Sequence, residues 1–236
     1  PNDADSPMLQ NNGTDIVNSL KNKTGVNSMQ YQGVEQVQKN GSTAVVTIKV
    51  FDSELDKHFL VELDMRQLAD GTWQITRINN LQTLISERDQ AFQNKLAELN
   101  KPVQKQIGDA VTVTPQKIFI TSAPYSGVIR LLQADLQLTN NAAKELQYFT
   151  GVLELYNADN ELFYTGNFAS SKKLAAAQTQ AYQFNWELNP FLTDDAKVMN
   201  SDFSKVTWKA SLSSLTFADG STIELLTQLP VKTKTK

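Results

Sequence analysis

The feature that most constrains this chain is a two-residue rhythm of apolar and polar side chains, present in two blocks and interrupted once. In STAVVTIKVF (42–51), Ala44, Val46, Ile48 and Val50 fall on one face. In HFLVELDMR (58–66), Phe59, Val61, Leu63 and Met65 do the same. A strand turns successive side chains to opposite sides, so such runs are stable as strands with one face against a core. MQYQGVEQVQ (29–38) alternates too, and TWQITRI (72–78) sends Trp73 and Ile75 one way, Gln74 and Thr76 the other. Asn40-Gly41 and Asp70-Gly71 are hairpin turn signals between these runs. An antiparallel sheet is predicted, and helices are the expected cover for its oily face.

Two stretches have helical rhythm. TDIVNSLKNKTG, with Thr14 or Asp15 as cap and Gly25 as stop, predicts a short helix before the first strand. Over 80–108, Leu81, Leu84, Ile85, Phe92, Leu96 and Leu99 form a stripe. Pro102 is expected to break that helix or to start a second one at Val103 and Ile107. Its polar remainder suits a spacer or a lid rather than a membrane span.

From Val111 the period returns to two. Strands are predicted at 118–122, 129–139, 150–157, 161–169, 178–188, 206–217 and 222–228, with turn signals at Asn140-Asn141, 157–160 and Asp219-Gly220. The expected fold is an α+β N-terminal domain, a curved antiparallel sheet with a covering helix, followed by an all-β immunoglobulin-like sandwich. The expected boundaries are a flexible lead-in at 1–14, the α+β domain at 15–80, a helical connector at 81–108, the sandwich at 109–230 and a tail at 231–236.

Composition narrows the function. The net charge is −3 and neither half is basic, so nucleic acid is not an expected partner. Lys232, Lys234 and Lys236 are read as a solvated end. The absence of cysteine excludes disulfides, thiol catalysis and thiolate metal sites. The first residue is Pro1, and a signal peptide or membrane anchor is expected upstream. With the Gln, Asn and Thr content, this points to an exported bacterial protein of the periplasm or outer cell envelope.

Chemistry-bearing residues are scattered. His58 is the single histidine, predicted on the polar face beside Leu60, Glu62, Asp64 and Arg66, and read as solvent-facing. Asp52, Glu54 and Asp56 alternate in a hairpin, where oxygen ligands could hold Ca²⁺, but they lack the other marks of such a loop and are read as a solvated turn. Asp194-Asp195 is a charge pair, not a site. Tyr125 in APYSG (123–127) is read as a turn aromatic packed on its own sheet. No cofactor, metal or catalytic residue is expected.

Two stretches resemble known families. DGTWQITRI (70–78) resembles the closing strand of cystatin-like and nuclear-transport-factor-like α+β cones, and an exported, often membrane-anchored bacterial family. LELYN (153–157) is similar to the F-x-L-Y-D signature of a bacterial sandwich module, and its surroundings to the late-embryogenesis-abundant sandwich. Leu153 stands for the Phe, Leu155 and Tyr156 match, and Asn157 replaces the Asp. This resemblance implies an extracytoplasmic accessory module without catalytic residues. Tyr156 is then an aromatic at the sheet edge, and Asn157 closes the turn.

The favoured function is therefore a non-enzymatic envelope protein that presents surfaces to another envelope protein or cell-surface component. The alternative is a small apolar ligand held in the cone domain, with weak hydrolase or isomerase activity. Tyr31, Phe51, Phe59, Met65 and Trp73 would line such a pocket; otherwise they fill a closed core. A third reading is capture of a partner strand at a sandwich edge that lacks Lys, Pro or a bulge.

Overall fold

The computed structural model describes residues 13–124 and 126–230. Tyr125, most of the expected lead-in and the basic tail lie outside the described residues. Contacts divide the chain into two compact units. One runs to Glu98 and takes in the chain again from Thr227; the other is Leu99–Leu226.

The first unit contains helix α1 (Gly13–Thr24), strands β1 (Met29–Asn40), β2 (Thr43–Asp52), β3 (Lys57–Gln67) and β4 (Trp73–Ile78), and the first part of α2 (Leu81–Ala110). The strands form one sheet in the order β1-β2-β3-β4, each neighbour antiparallel. Gly41 turns β1 into β2 with φ +61°, a conformation that costs a residue without a Cβ nothing. Val50 lies opposite Phe59, Ile48 opposite Val61, Val46 opposite Leu63 and Ala44 opposite Met65. All eight are buried. Ile16 and Leu20 of α1 and Leu84 of α2 close over the same cluster. Each such aliphatic side chain contributes about 1.5–3 kcal/mol by leaving water. The helix begins at Gly13, inside the stretch read as lead-in.

α2 is one helix of 30 residues that runs through Pro102. The expected break does not occur. An interior proline removes one backbone bond and costs about 3 kcal/mol. Burial on both sides offsets that cost. Phe92 and Leu96 pack on the first unit's core, and Val103 and Ile107 on the second's. The change of unit falls within the helix, at Leu99.

The second unit holds β5 (Val111–Ala123), β6 (Ser126–Asn140), β7 (Leu146–Tyr156), β8 (Leu162–Ser170), β9 (Thr179–Leu188), α3 (Thr193–Met199), β10 (Thr207–Phe217) and β11 (Thr222–Glu224). They make two antiparallel sheets, β5-β6-β9 and β11-β10-β7-β8. Leu132, Leu136 and Leu138 from one sheet share a core with Phe149, Leu153 and Leu215 from the other. Phe149 is the hub, edge-on to Tyr182 at 5.1 Å and to Phe168 at 6.5 Å. Asp194 and Asp195 sit in the first turn of α3, where acidic groups suit the positive end of a helix.

Gly151 lies where the core leaves no room. A Cβ there would strike the Phe168 ring and stand 2.5 Å from the Ser211 carbonyl oxygen. Gly151→Ala is expected to destabilise the second unit by about 2–3 kcal/mol. Gly108, in α2 with open space around it, is the control. Gly108→Ala is expected to stabilise by about 0.5–1 kcal/mol. Urea unfolding of both variants, followed by circular dichroism, measures the difference.

Candidate functional site

The outer face of the first sheet carries the lone histidine. Strand parity puts Thr47, Lys49 and Phe51 of β2 there, with His58 and Leu60 of β3. Phe51 and His58 are register partners whose rings lie 4.9 Å apart at 48°. β1 reaches the same area through a bulge: its register steps from Val34↔Ile48 to Gln36↔Thr47, leaving Glu35 as the extra residue. A bulge re-aims a side chain, and the Glu35 carboxylate comes to 3.7 Å from the Lys49 ammonium. Glu35, Gln36, Thr47, Lys49, His58 and Leu60 wall a hollow of about 490 Å³. It offers one cation, one anion, an amide, a hydroxyl, an imidazole and the half-exposed Leu60. Among the described residues no side chain hydrogen-bonds the His58 ring; its contact is the Phe51 face. A general base is ordinarily oriented by a hydrogen-bonded partner; the His58 ring lies against Phe51.

The five pocket candidates do not converge on one surface. Phe59 and Met65 are buried in the first core, and Tyr31 and Trp73 are half-buried against it. Burial raises the Tyr31 hydroxyl pKa. Phe51 stands on the opposite face, as its odd position in a strand with even core residues requires. Of the five, Phe59 alone touches the outer hollow. Met65 borders a second hollow of about 390 Å³, with Gln38, Asn40, Asp64 and Arg66.

The alternating carboxylates serve another purpose. Asp52 is fully buried. Its Oδ1 accepts the amides of Glu54 at 3.0 Å and Leu55 at 3.2 Å, and its Oδ2 accepts Arg88 Nε of α2 at 2.8 Å. Arg88 Nη2 donates to Glu54 at 2.7 Å, and the Lys95 ammonium to the Glu54 carbonyl at 2.9 Å. Burial pushes the Asp52 pKa up, but the Ser28 side chain, the Leu55 amide and Arg88 together hold it below the ordinary value. The sequence reading missed Arg88, because 36 positions separate it from Asp52 and no local spacing links them.

The two asparagines ending DGTWQITRINN extend the ladder where β4 stops. Asn80 accepts the Glu62 amide at 2.9 Å and donates to the Leu60 carbonyl at 2.9 Å. Asn79 donates to the carboxylates of Glu62 at 3.0 Å and Asp64 at 2.7 Å. In LELYN, the Asn157 side chain accepts the amides of Asp159 at 3.0 Å and Glu161 at 2.9 Å, closing the turn. Tyr156 ends β7, an interior strand rather than a sheet edge, with the Lys209 ammonium 5.0 Å from its ring centre.

Three of the four edge strands of the second unit are protected. β5 carries Pro115, Lys117 and a register shift between them, three features that block strand addition. β8 and β9 lack Pro and Lys, but α3 packs against both. Trp186 of β9 donates its indole N–H to the Asn167 carbonyl of β8 at 2.7 Å.

No protein-family model matches the chain, and no curated protein matches it. Among solved structures, a structural-genomics crystal structure described as an ApaA protein of Bordetella pertussis is 11% identical, with a TM-score of 0.27, over 49% of this chain and 88% of that one. A superposition that loose supports no inference.

Asp52→Ala is expected to cost about 2–4 kcal/mol, because it leaves Arg88 and two turn amides without their acceptor. The folded pKa of Asp52 is lowered. Its contribution is therefore complete above the ordinary carboxylate pKa near ~4 and fades as pH falls through the folded value. Unfolding free energies between pH ~6 and ~2 are expected to fall more steeply for the native chain than for Asp52→Asn.

Proposed function

We propose that this chain is a non-enzymatic cell-envelope protein, an α+β cone-like domain followed by an immunoglobulin-like β-sandwich, that binds another envelope protein or cell-surface component. The helix-then-four-strand order of the first unit supports the cone reading. The strand order of the second supports the sandwich reading. The chain changes sheets after β6, after β8 and after β9, as Greek-key sandwiches do. The resemblance of LELYN to an extracytoplasmic module supports the envelope.

One observation carries the binding reading. The outer hollow collects varied recognition groups around His58, and the carboxylate that lines it, Glu35, is engaged by Lys49. The closely set carboxylates of Asp52 and Glu54 are held by Arg88. A mixed polar hollow with an exposed Leu60 suits a peptide or glycan surface better than a small apolar ligand.

The test is affinity capture from envelope extract with the immobilised chain. An envelope component is expected to be retained and to be reduced at least ~10-fold by Leu60→Asp, a change to a half-exposed side chain that leaves the core intact. Ester or isomer turnover abolished by His58→Ala overturns the proposal.

A further inference from the structure

Asn40 ends β1 and pairs with Thr43, so Gly41 and Ser42 form the two-residue loop of the β1–β2 hairpin. Gly41 alone of the two has a positive φ, +61°, the pattern of a type II′ turn. Asn40 and the three residues after it are exposed, and a Cβ on Gly41 would meet no atom within 4 Å. The Asn40 carbonyl accepts the Thr43 hydroxyl at 2.9 Å. Among the described residues, no group hydrogen-bonds the Asn40 side-chain amide or the Gly41 backbone N–H.

Other turns engage the same kinds of side chain. Asn140, Asn157 and Asn189 each use Oδ1 to accept the amide two residues on, at 3.0 Å. Asp70 and Asp219 also precede a glycine. Asp70 accepts the Thr72 amide at 2.9 Å and hydroxyl at 2.6 Å, and Asp219 the Ser221 amide at 3.0 Å and hydroxyl at 2.6 Å. The bonds from Thr72 lower the Asp70 pKa, and those from Lys144 and Ser221 lower that of Asp219. An ionised carboxylate resists nucleophilic attack, and one held by two hydrogen bonds is not free to turn onto the glycine nitrogen. Asn40 has neither protection. Its amide is a neutral electrophile, and the nitrogen beside it belongs to a residue with no Cβ to crowd the approach.

We propose that Asn40 is a self-modification site, converted without an enzyme to aspartate and isoaspartate with water as co-reactant. The Gly41 nitrogen attacks Asn40 Cγ. The N–Cγ bond forms, the Cγ–Nδ2 bond breaks, and the Gly41 amide proton leaves with Nδ2 as ammonia. The product is a five-membered succinimide. Water then opens the ring at either carbonyl. Its hydroxyl completes the new carboxyl group, and its other proton returns to the Gly41 nitrogen. Opening at Cγ gives aspartate; opening at the backbone carbonyl gives isoaspartate. Nothing is oxidised or reduced.

Ring closure takes Asn40 out of the extended backbone of a strand. Asn40 and Thr43 are the terminal pair of the β1–β2 ladder, and fraying ends open at little cost. Both residues line the hollow of about 390 Å³ that also contains Asp64 and Arg66. Either product adds a negative charge to that hollow, and isoaspartate adds a backbone atom to a hairpin whose loop length sets its turn type. This inference does not depend on the binding partner proposed above.

Incubation of the folded full chain at neutral pH, then cleavage after glutamate and mass spectrometry, tests it. Peptide 36–54 contains Asn40 as its single asparagine, which separates it from the Asn-Gly pair at Asn12, outside the described residues. Exchange of the amide nitrogen for oxygen is expected at Asn40, with isoaspartate in excess of aspartate. The rate is expected within ~100-fold of that in the same peptide free in solution, and at least ~10-fold above the rates at Asn140, Asn157 and Asn189. Gly41→Ala is expected to slow it at least ~10-fold by crowding the nitrogen. Asn40→Gln keeps the amide but lengthens the ring, and is expected to abolish the reaction while leaving the turn glycine in place. A folded chain more than ~100-fold slower than the free peptide overturns the inference. So does aspartate as the only product, conversion no faster than at the three hydrogen-bonded asparagines, or conversion undiminished in both variants.

Discussion

Everything in this protein follows from the need to hide one side of each sheet. A strand whose alternate residues are Val46, Ile48 and Val50 gains only when that side leaves water, and its backbone forces all three to leave together. The two units meet the demand differently. In the first, α1 and the start of α2 lie over a single sheet, with Ile16, Leu20 and Leu84 as the covering residues. In the second, a sheet covers a sheet, and Phe149, Phe168, Tyr182 and Phe184 fill the space with rings 4.7–6.5 Å apart. The opposite faces are left polar, and the outer hollow around His58 forms on one of them.

Buried polar groups hold chain ends in register. Asp52, Asn100 and Asn140 are the buried polar residues among those described. Asp52 and Asn140 sit where a strand stops, and Asn100 lies inside α2. Asp52 gathers the β2–β3 turn and binds Arg88 of α2. Asn100 pairs both its amide groups with the Leu226 backbone at 2.9 and 2.7 Å. Asn140 donates to the Lys144 and Leu174 carbonyls and accepts the Ala142 amide, tying the end of β6 to two loops. A buried amide or carboxylate without partners costs more than it can return, so these residues specify a particular loop path as well as stabilise it.

The same thrift shapes the exposed parts. In the second unit β5 is bulged and carries proline and lysine, and β8 and β9 are packed by α3. Asp52 and Glu54 are engaged by Arg88, and the His58 ring lies tilted against Phe51. Large apolar side chains are left in water as well, among them Leu60 on the first unit and Leu162, Phe191 and Leu192 on the second. Interaction energy is available there because folding has left it unused.

Periodicity alone located the strands, the two Gly turns of the first sheet, the polar placement of His58 and the side of the sheet that Phe59 and Met65 occupy. These are local properties, set by side-chain direction along an extended backbone. Phe51 was legible by the same rule and belongs with His58, not with Phe59; its hydrophobicity argued for the core, but its position in the strand decided otherwise. Local rules could not decide the fate of Pro102, since the contacts that carry the helix past it come from distant strands. They could not find Arg88 either, because the ion pair joins residues brought together only when α2 folds back on the β2–β3 turn. The exposure of Phe191 likewise belongs to tertiary structure: an aromatic in a loop reads as buried or free with equal ease until the hydrogen bonds around Asn189 fix where it points.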